Sequence, residues 1–156
     1  MTHAEFSAWL EETIPHYADD KVASGQWSRA EALEKSRGEF ARLLPAGLET
    51  SDHFFRAIVD EAGARVGVLW FARSVTPRGD VAFVYDVAIE PDARRKGHAA
   101  AAFAALEREV VELGMTGVGL HVFGHNHAAR ALYEKLGFTT TDVSLFKALG
   151  ETPKVD

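Results

Sequence analysis

Arg94, Arg95 and Lys96 stand side by side in a chain whose formal net charge is −6, and Gly97, His98, Ala99 and Ala100 follow them. They close the stretch Val87-Ala88-Ile89-Glu90-Pro91-Asp92-Ala93, which reads as the end of a strand, so the local order is strand, basic turn, helix start. A phosphate or pyrophosphate is bound well by free backbone N–H groups at a helix N-terminus, where the dipole adds favourable potential and a glycine permits close approach. In open α/β sheets ligands sit beyond the carboxyl ends of the strands, where this turn falls. Judged on charge alone, a solvated basic turn is the plainer reading. The strand before it and the helix after it are what point to an anion.

Two other groups carry chemistry. Asp86 is the acid inside the otherwise apolar run Val81 to Ile89, either a structural strand acid or a candidate base. His121, His125 and His127 invite a metal reading, but strand alternation and the turn after it give no recognised ligand set and no carboxylate completes one, so no metal is expected.

The elements that must position these residues follow from periodicity. Phe6, Trp9, Leu10 and Ile14 at helical spacing predict a short amphipathic helix, opened by a Thr2–Glu5 capping box and ended or kinked by Pro15. Ser28 with Glu31 reads as a second capping box, and Ala32, Leu33, Phe40, Leu43 and Leu44 carry that helix to Pro45 and Gly47. Strands are expected over about 53 to 60, 65 to 75 and 81 to 89, joined by the turns Ala62-Gly63 and Pro77-Arg78-Gly79-Asp80. Gly97 to about Leu113 is helical, with Phe103 and Leu106 inward; Val118 to Phe123 is a strand; Asn126 caps a helix to about Leu136, closed by Gly137; and Phe138 to Leu149 returns to strand. Strands joined through helices run parallel and those joined by short turns antiparallel, so the class is α/β (α+β) with a mixed sheet.

Composition bounds the rest. A chain of 156 residues that is 47% hydrophobic can bury one sizeable core, so residues 1–156 are read as a single domain. The absence of cysteine removes disulfides, thiolate clusters and a cysteine nucleophile. The acidic balance argues against nucleic acid as a partner. No stretch approaches the ~20 apolar residues of a membrane span, and Met1-Thr2-His3-Ala4-Glu5 lacks the basic and apolar segments of a signal peptide, so a cytoplasmic protein without a membrane partner is expected. Trp9, Trp27, Trp70 and Phe71 read as core or pocket wall.

Arg94-x-x-Gly97-x-Ala99 resembles the Q/R-x-x-G-x-G/A motif of the GNAT superfamily of acetyl-CoA-dependent N-acetyltransferases. The similarity continues through Leu120-His121-Val122-Phe123-Gly124-His125-Asn126-His127-Ala128-Ala129-Arg130-Ala131-Leu132-Tyr133-Glu134-Lys135-Leu136-Gly137-Phe138, which is similar to that family's strand, N-x-x-A helix and L-Y-x-x-x-G-F ending. The strong part covers roughly residues 81 to 149; the first half opens with a helix where many members have a strand. The resemblance implies the acyl-CoA N-acyltransferase fold, a central mixed sheet flanked by helices, with acetyl-CoA as donor and an amine as acceptor. It implies that the pyrophosphate rests on the amides from Arg95 to Ala100, within the turn Arg94 to Ala100. Pantetheine would pair with the Val87-Ala88-Ile89 backbone, Asn126 and Ala129 would flank its arm, and Tyr133 would lie near the sulfur. The Val87 N–H would polarise the thioester carbonyl.

The implied reaction ranks its helpers. An alkylamine with pKa near ~10.4 is about one part in several thousand neutral at pH 7, a deficit of about 4 to 5 kcal/mol. A tyrosine of pKa ~10 protonating a thiolate of pKa ~8.5 costs about 2 kcal/mol, and that thiolate already leaves tolerably. The base therefore matters more than Tyr133. His121 stands where the family's N-terminal-amine acetyltransferases carry the glutamate of a Leu-Glu-Val strand, and histidine near neutral pKa suits the role. Asp86 is the other candidate; the glutamate of histone acetyltransferases aligns near Phe83 and does not transfer. A CoA-binding domain without turnover is the alternative, motivated by that missing glutamate. The acidic chain favours a cationic acceptor such as a polyamine, an aminoglycoside or a protein amine. The C-terminal strand is shorter than the terminal hairpin of many members, an arrangement a homodimer would complete.

Overall fold

The N-terminal helix is set by its first turn. In the computed structural model, which describes residues 1–149, the Thr2 N–H donates to Glu5 Oε2 at 2.7 Å and the Glu5 N–H to Thr2 Oγ1 at 3.3 Å, the reciprocal box read from the sequence. Helix α1 spans His3–Ala23 and runs through Pro15, where a stop or kink is expected. Pro15 removes one donor and crowds the Glu11 carbonyl, but both residues are exposed, so water can take up that carbonyl. Beside the proline, the fully buried Ser36 donates its hydroxyl to the Ile14 carbonyl at 2.7 Å and ties α1 to the next helix. That helix, α2, spans Arg29–Leu43. Its expected capping box is incomplete: Ser28 occupies the cap position without a side-chain bond, and the Glu31 carboxylate pairs instead with Lys35 one turn on.

Strands β1 (His53–Val59), β2 (Arg65–Thr76) and β3 (Gly79–Ile89) form an antiparallel meander, and β4 (Val118–Leu120) joins β3 in parallel after helix α3 (His98–Glu112). The sheet order is β1-β2-β3-β4, a mixed sheet flanked by helices as expected. Alternation along β2 sorts the core into two layers. Val68 and Trp70 pack with Phe6, Trp9, Phe40, Leu44 and Phe55 under α1 and α2. Leu69 and Phe71 face the other way, against Phe103, Leu106 and Val110 of α3. Phe103 is completely buried, so Phe103→Ala would cost ~3–5 kcal/mol.

Helix α4 (His127–Lys135) ends in a Schellman turn: Gly137, at φ +88°, donates to the Glu134 carbonyl, and the Phe138 N–H to that of Tyr133. The accompanying apolar contact is Phe138 against Tyr133, with ring centroids 5.6 Å apart, and both rings meet Phe103 edge-on.

Two expected strands differ. The strand over 118 to 123 stops at Leu120, because its pairing partners on β3 end at Val84, just before an irregularity in that strand. The strand over 138 to 149 does not form. Among the described residues, no backbone hydrogen bond involves residues 139–149, and a strand is held by a partner that β-propensity alone does not supply. Among the described residues, no helix is long and apolar enough to cross a membrane.

Candidate active site

The irregularity in β3 creates the site. Trp70 of β2 faces Asp86 and Phe71 faces Val84, so Tyr85 is an extra residue, a β-bulge. Before it, Ala82 and Val84 point into the α3 layer; after it, Val87 and Ile89 do, because the extra residue shifts the alternation by one. Asp86 is thereby turned onto the opposite face, where its carboxylate accepts the Trp9 indole N–H from α1 at 2.8 Å.

The same shift exposes backbone. The Ala82 N–H points to β4, donating to the Gly117 carbonyl, whereas the Glu90 N–H points to β2, donating to the Val66 carbonyl. Beyond the bulge, odd-numbered Val87 and Ile89 therefore aim their N–H and C=O groups at the β4 side, where β4 has already ended. The Ile89 carbonyl accepts from Arg94 Nε at 2.9 Å, so part of this edge is engaged by the turn that follows.

That turn is built to leave donors free. After a single 3-10 turn over Pro91–Ala93, Arg95 adopts φ +63° and Gly97 φ +85°. An added Cβ on Gly97 would meet no protein atom, so the backbone angle is what demands glycine. Among the described residues, no N–H from Arg95 to Ala100 donates to a protein acceptor; the first committed one is Ala101, to the Gly97 carbonyl at 3.0 Å. Three amides of the turn and the first three of α3 thus stay uncommitted at the positive end of the helix dipole, an arrangement suited to a phosphate-type anion. The cations also shape this rim: Lys96 Nζ donates to the Asp92 carbonyl at 2.9 Å and Arg94 to Ile89, while Arg95 is exposed.

Asn126 caps α4, its Oδ1 accepting from the Ala129 N–H at 3.1 Å, so its helix-capping role is met by geometry. Tyr133, about two turns on, is partly buried, its ring packed against Phe103 and Phe138. Burial first, and the Asp86 charge second, push the Tyr133 hydroxyl above its ordinary value. Burial pushes Asp86 up as well, against the Trp9 hydrogen bond, the Val87 N–H and the charge of His16, which favour its anion. Val87, Ile89 and Tyr133 thus pack against the same α3-side layer, while Asp86 lies on the other face of β3, bonded to Trp9.

His121 stands apart from this group. It follows β4, is exposed, and meets Phe123 edge-on at 5.4 Å; no hydrogen bond or ring contact joins it to Asp86 or Tyr133. Phe123 stacks on His125, whose Nε2 lies 3.1 Å from Asp20, so this loop docks on α1. Among the described residues no group of three or more His, Asp or Glu side chains converges as metal ligands. Sequence reasoning missed Trp9 as the partner of Asp86. The signal was indirect: a buried indole needs an acceptor, and Asp86 was the acid in the apolar strand.

The sequence profile of the acetyltransferase (GNAT) family matches residues 10–138. Two uncharacterised N-acetyltransferases of Bacillus subtilis (strain 168) are similar along nearly their whole length. YdgE is 35% identical over 150 residues, covering 96% of this chain and 95% of its own. YycN is 39% identical over 149 residues, covering 96% of each. The crystal structure of YycN superposes with a TM-score of 0.88, covering 97% of this chain and 96% of its own.

Proposed function

The chain belongs to the acetyltransferase (GNAT) family, and from that premise we propose that it transfers an acetyl group from acetyl-CoA to the primary amine of a small molecule or protein, by direct attack within a ternary complex. The observation that carries the reading is the pairing of two features at the end of β3: the uncommitted amides from Arg95 to Ala100, and the β3 edge at Val87 and Ile89 left open where β4 has ended. In this reading the pyrophosphate rests on the amides, and the pantetheine arm runs along the open edge between β3 and α4, past Asn126 and Ala129.

Asp86 is the better-placed base. Its carboxylate is held dry beside the bulge, and its raised proton affinity suits removal of a proton from an ammonium ion. Asp86 takes one proton from the ammonium ion, the neutral amine nitrogen bonds to the acetyl carbonyl carbon, the C–S bond breaks, the nitrogen's second surplus proton goes to the departing sulfur to give free thiol, and Asp86 returns its proton to solvent. The Val87 N–H, which favours the Asp86 anion in the free protein, would serve the carbonyl oxygen as charge develops there and Asp86 takes up its proton. Tyr133 offers a hydrogen bond to the departing sulfur. Because its hydroxyl is pushed further above the thiol's ordinary range, full proton transfer costs more than the ~2 kcal/mol separating free tyrosine from free thiol. Tyr133 therefore orients more than it protonates.

The test is a panel of amines with acetyl-CoA, followed by release of free thiol. Release that one amine class stimulates, with a product heavier by one acetyl group, supports the reading. Acetyl-CoA binding with no release for any amine would replace it with a CoA-binding domain that does not turn over.

A further inference from the structure

Helix α1 packs on one face of the sheet and the end of α4 on the other, and the loop from His121 to Asn126 runs between them beyond the end of β4. That loop has no sheet partner, since β4 stops at Leu120. Among the described residues its backbone hydrogen bonds are local, from Asn126 to Phe123 and from His127 to His125. Side chains from the last two turns of α1 hold it instead. Lys21 Nζ stands 5.3 Å from the centroids of the Tyr17 and Trp27 rings and 6.0 Å from that of Phe123, and it donates to Gln26 Oε1 at 2.9 Å. Tyr17 meets Trp27 edge-on at 5.7 Å and Phe123 at 6.5 Å. Three rings from distant parts of the chain thus surround one half-buried ammonium, each within the range at which a ring face attracts a cation.

We infer that Lys21 is a positioning residue for the donor: its ammonium clasps the loop from His121 to Asn126 onto α1 and so fixes the start of α4, past which the pantetheine arm runs in the proposed function. The inference rests on that reading. The two ends of α4 are held differently. Its C-terminal end is packed into the core through Tyr133, Leu136 and Phe138. Its first residues, from Asn126 to Ala128, are exposed, and Asn126 Oδ1 is engaged within the helix by Ala129. The anchorage of the loop therefore decides where Asn126 and Ala129 stand. The Asp20–His125 contact of the same loop is open to solvent and contributes less. Charge is what the clasp uses, so glutamine at position 21 loses the attraction to all three rings, whereas arginine keeps it. Lys21 also complements the C-terminal dipole of α1, a purely structural role that would leave the loop unmoved.

Hydrogen exchange and calorimetric titration with acetyl-CoA, on the full chain and on its Lys21→Gln and Lys21→Arg variants, test it. In Lys21→Gln the amides of Asn126 and His127, which bond back to the Phe123 and His125 carbonyls, should exchange ~5-fold faster or more. The Kd for acetyl-CoA should rise by a similar ~5-fold, and Lys21→Arg should restore both values. With an amine that proves to be a substrate, the loss should fall on KM for acetyl-CoA, leaving kcat within ~2-fold. Exchange that Lys21→Gln leaves unmoved overturns the clasp. A loosened loop with acetyl-CoA affinity still at the wild-type value overturns the positioning role, and so does an arginine variant that behaves like glutamine. Wild-type protein that binds no acetyl-CoA contradicts the proposed function itself, and the positioning role falls with it whatever the loop does.

Discussion

Trp9→Phe separates Asp86 from every other candidate base. The indole N–H reaches the Asp86 carboxylate at 2.8 Å, and the hydrogen bond lowers the proton affinity that burial raises. A hydrogen bond to a charged group is worth ~1.5–3 kcal/mol, so its loss should make Asp86 bind its proton ~10- to 150-fold more tightly. The ring itself sits among Phe55 at 5.4 Å, Trp70 at 5.3 Å and Phe40 at 6.0 Å, contacts a phenylalanine largely keeps. The smaller ring should cost about 1–2 kcal/mol of stability, which thermal unfolding reads separately. In a pH profile of kcat/KM, followed by thiol release, the acidic limb should move upward, so that at a pH on that limb the variant is slower by ~10-fold or more, while the plateau well above it changes little. An acidic limb that stays in place in Trp9→Phe but moves when His121 is replaced would refute the assignment of Asp86 and restore His121 as the base.

Asp86→Asn should lower kcat by ~100-fold or more and Tyr133→Phe by less than ~10-fold, because deprotonation is the larger deficit. The same Asp86→Asn change should not lower the melting temperature at pH 7: a carboxyl whose folded pKa is raised penalises the fold as pH climbs past its ordinary 3.8, and asparagine removes that penalty. Gly97→Ala forces a side chain onto φ +85° and should cost ~1–2 kcal/mol in thermal unfolding, with a raised KM for acetyl-CoA. Gly67→Ala would place a Cβ 2.3 Å from the Ala88 carbonyl oxygen, pushing β2 from β3 beside the site at a cost of ~1–3 kcal/mol. His53 accepts the Trp70 indole N–H at Nδ1 and is held by burial below its ordinary 6.5, so stability present at neutral pH should fall as pH drops below that value, and His53→Gln should flatten the dependence.

Much of this architecture is written locally. Thr2 with Glu5 starts α1, and Gly137 with Phe138 stops α4, because each motif satisfies its own backbone groups within a few residues. The turn from Arg94 to Ala100 was legible for the same reason: the first amides of α3 are free by virtue of helix geometry, and Gly97 takes a left-handed angle that suits glycine best, although Arg95 takes a second one. What the sequence hid depends on contacts far apart in the chain. The bulge at Tyr85 has no composition signal, since Val81 to Ile89 alternates plausibly without it, yet it is what turns Asp86 toward Trp9, 77 residues away. Pro15 looked like a stop because the local rule is right about the lost donor and silent about the surface position that lets water replace it. The segment over 138 to 149 looked like a strand because propensity describes the strand and not its partner.

Where acetyl-CoA sits decides the roles of these residues, and an amide-resolved titration with acetyl-CoA measures that directly. Shifts that saturate together at residues 95–100 and at Val87 and Ile89, with Gly97→Ala weakening them in parallel, are the predicted result. Binding that leaves those amides unmoved, or no binding at millimolar acetyl-CoA, would contradict it.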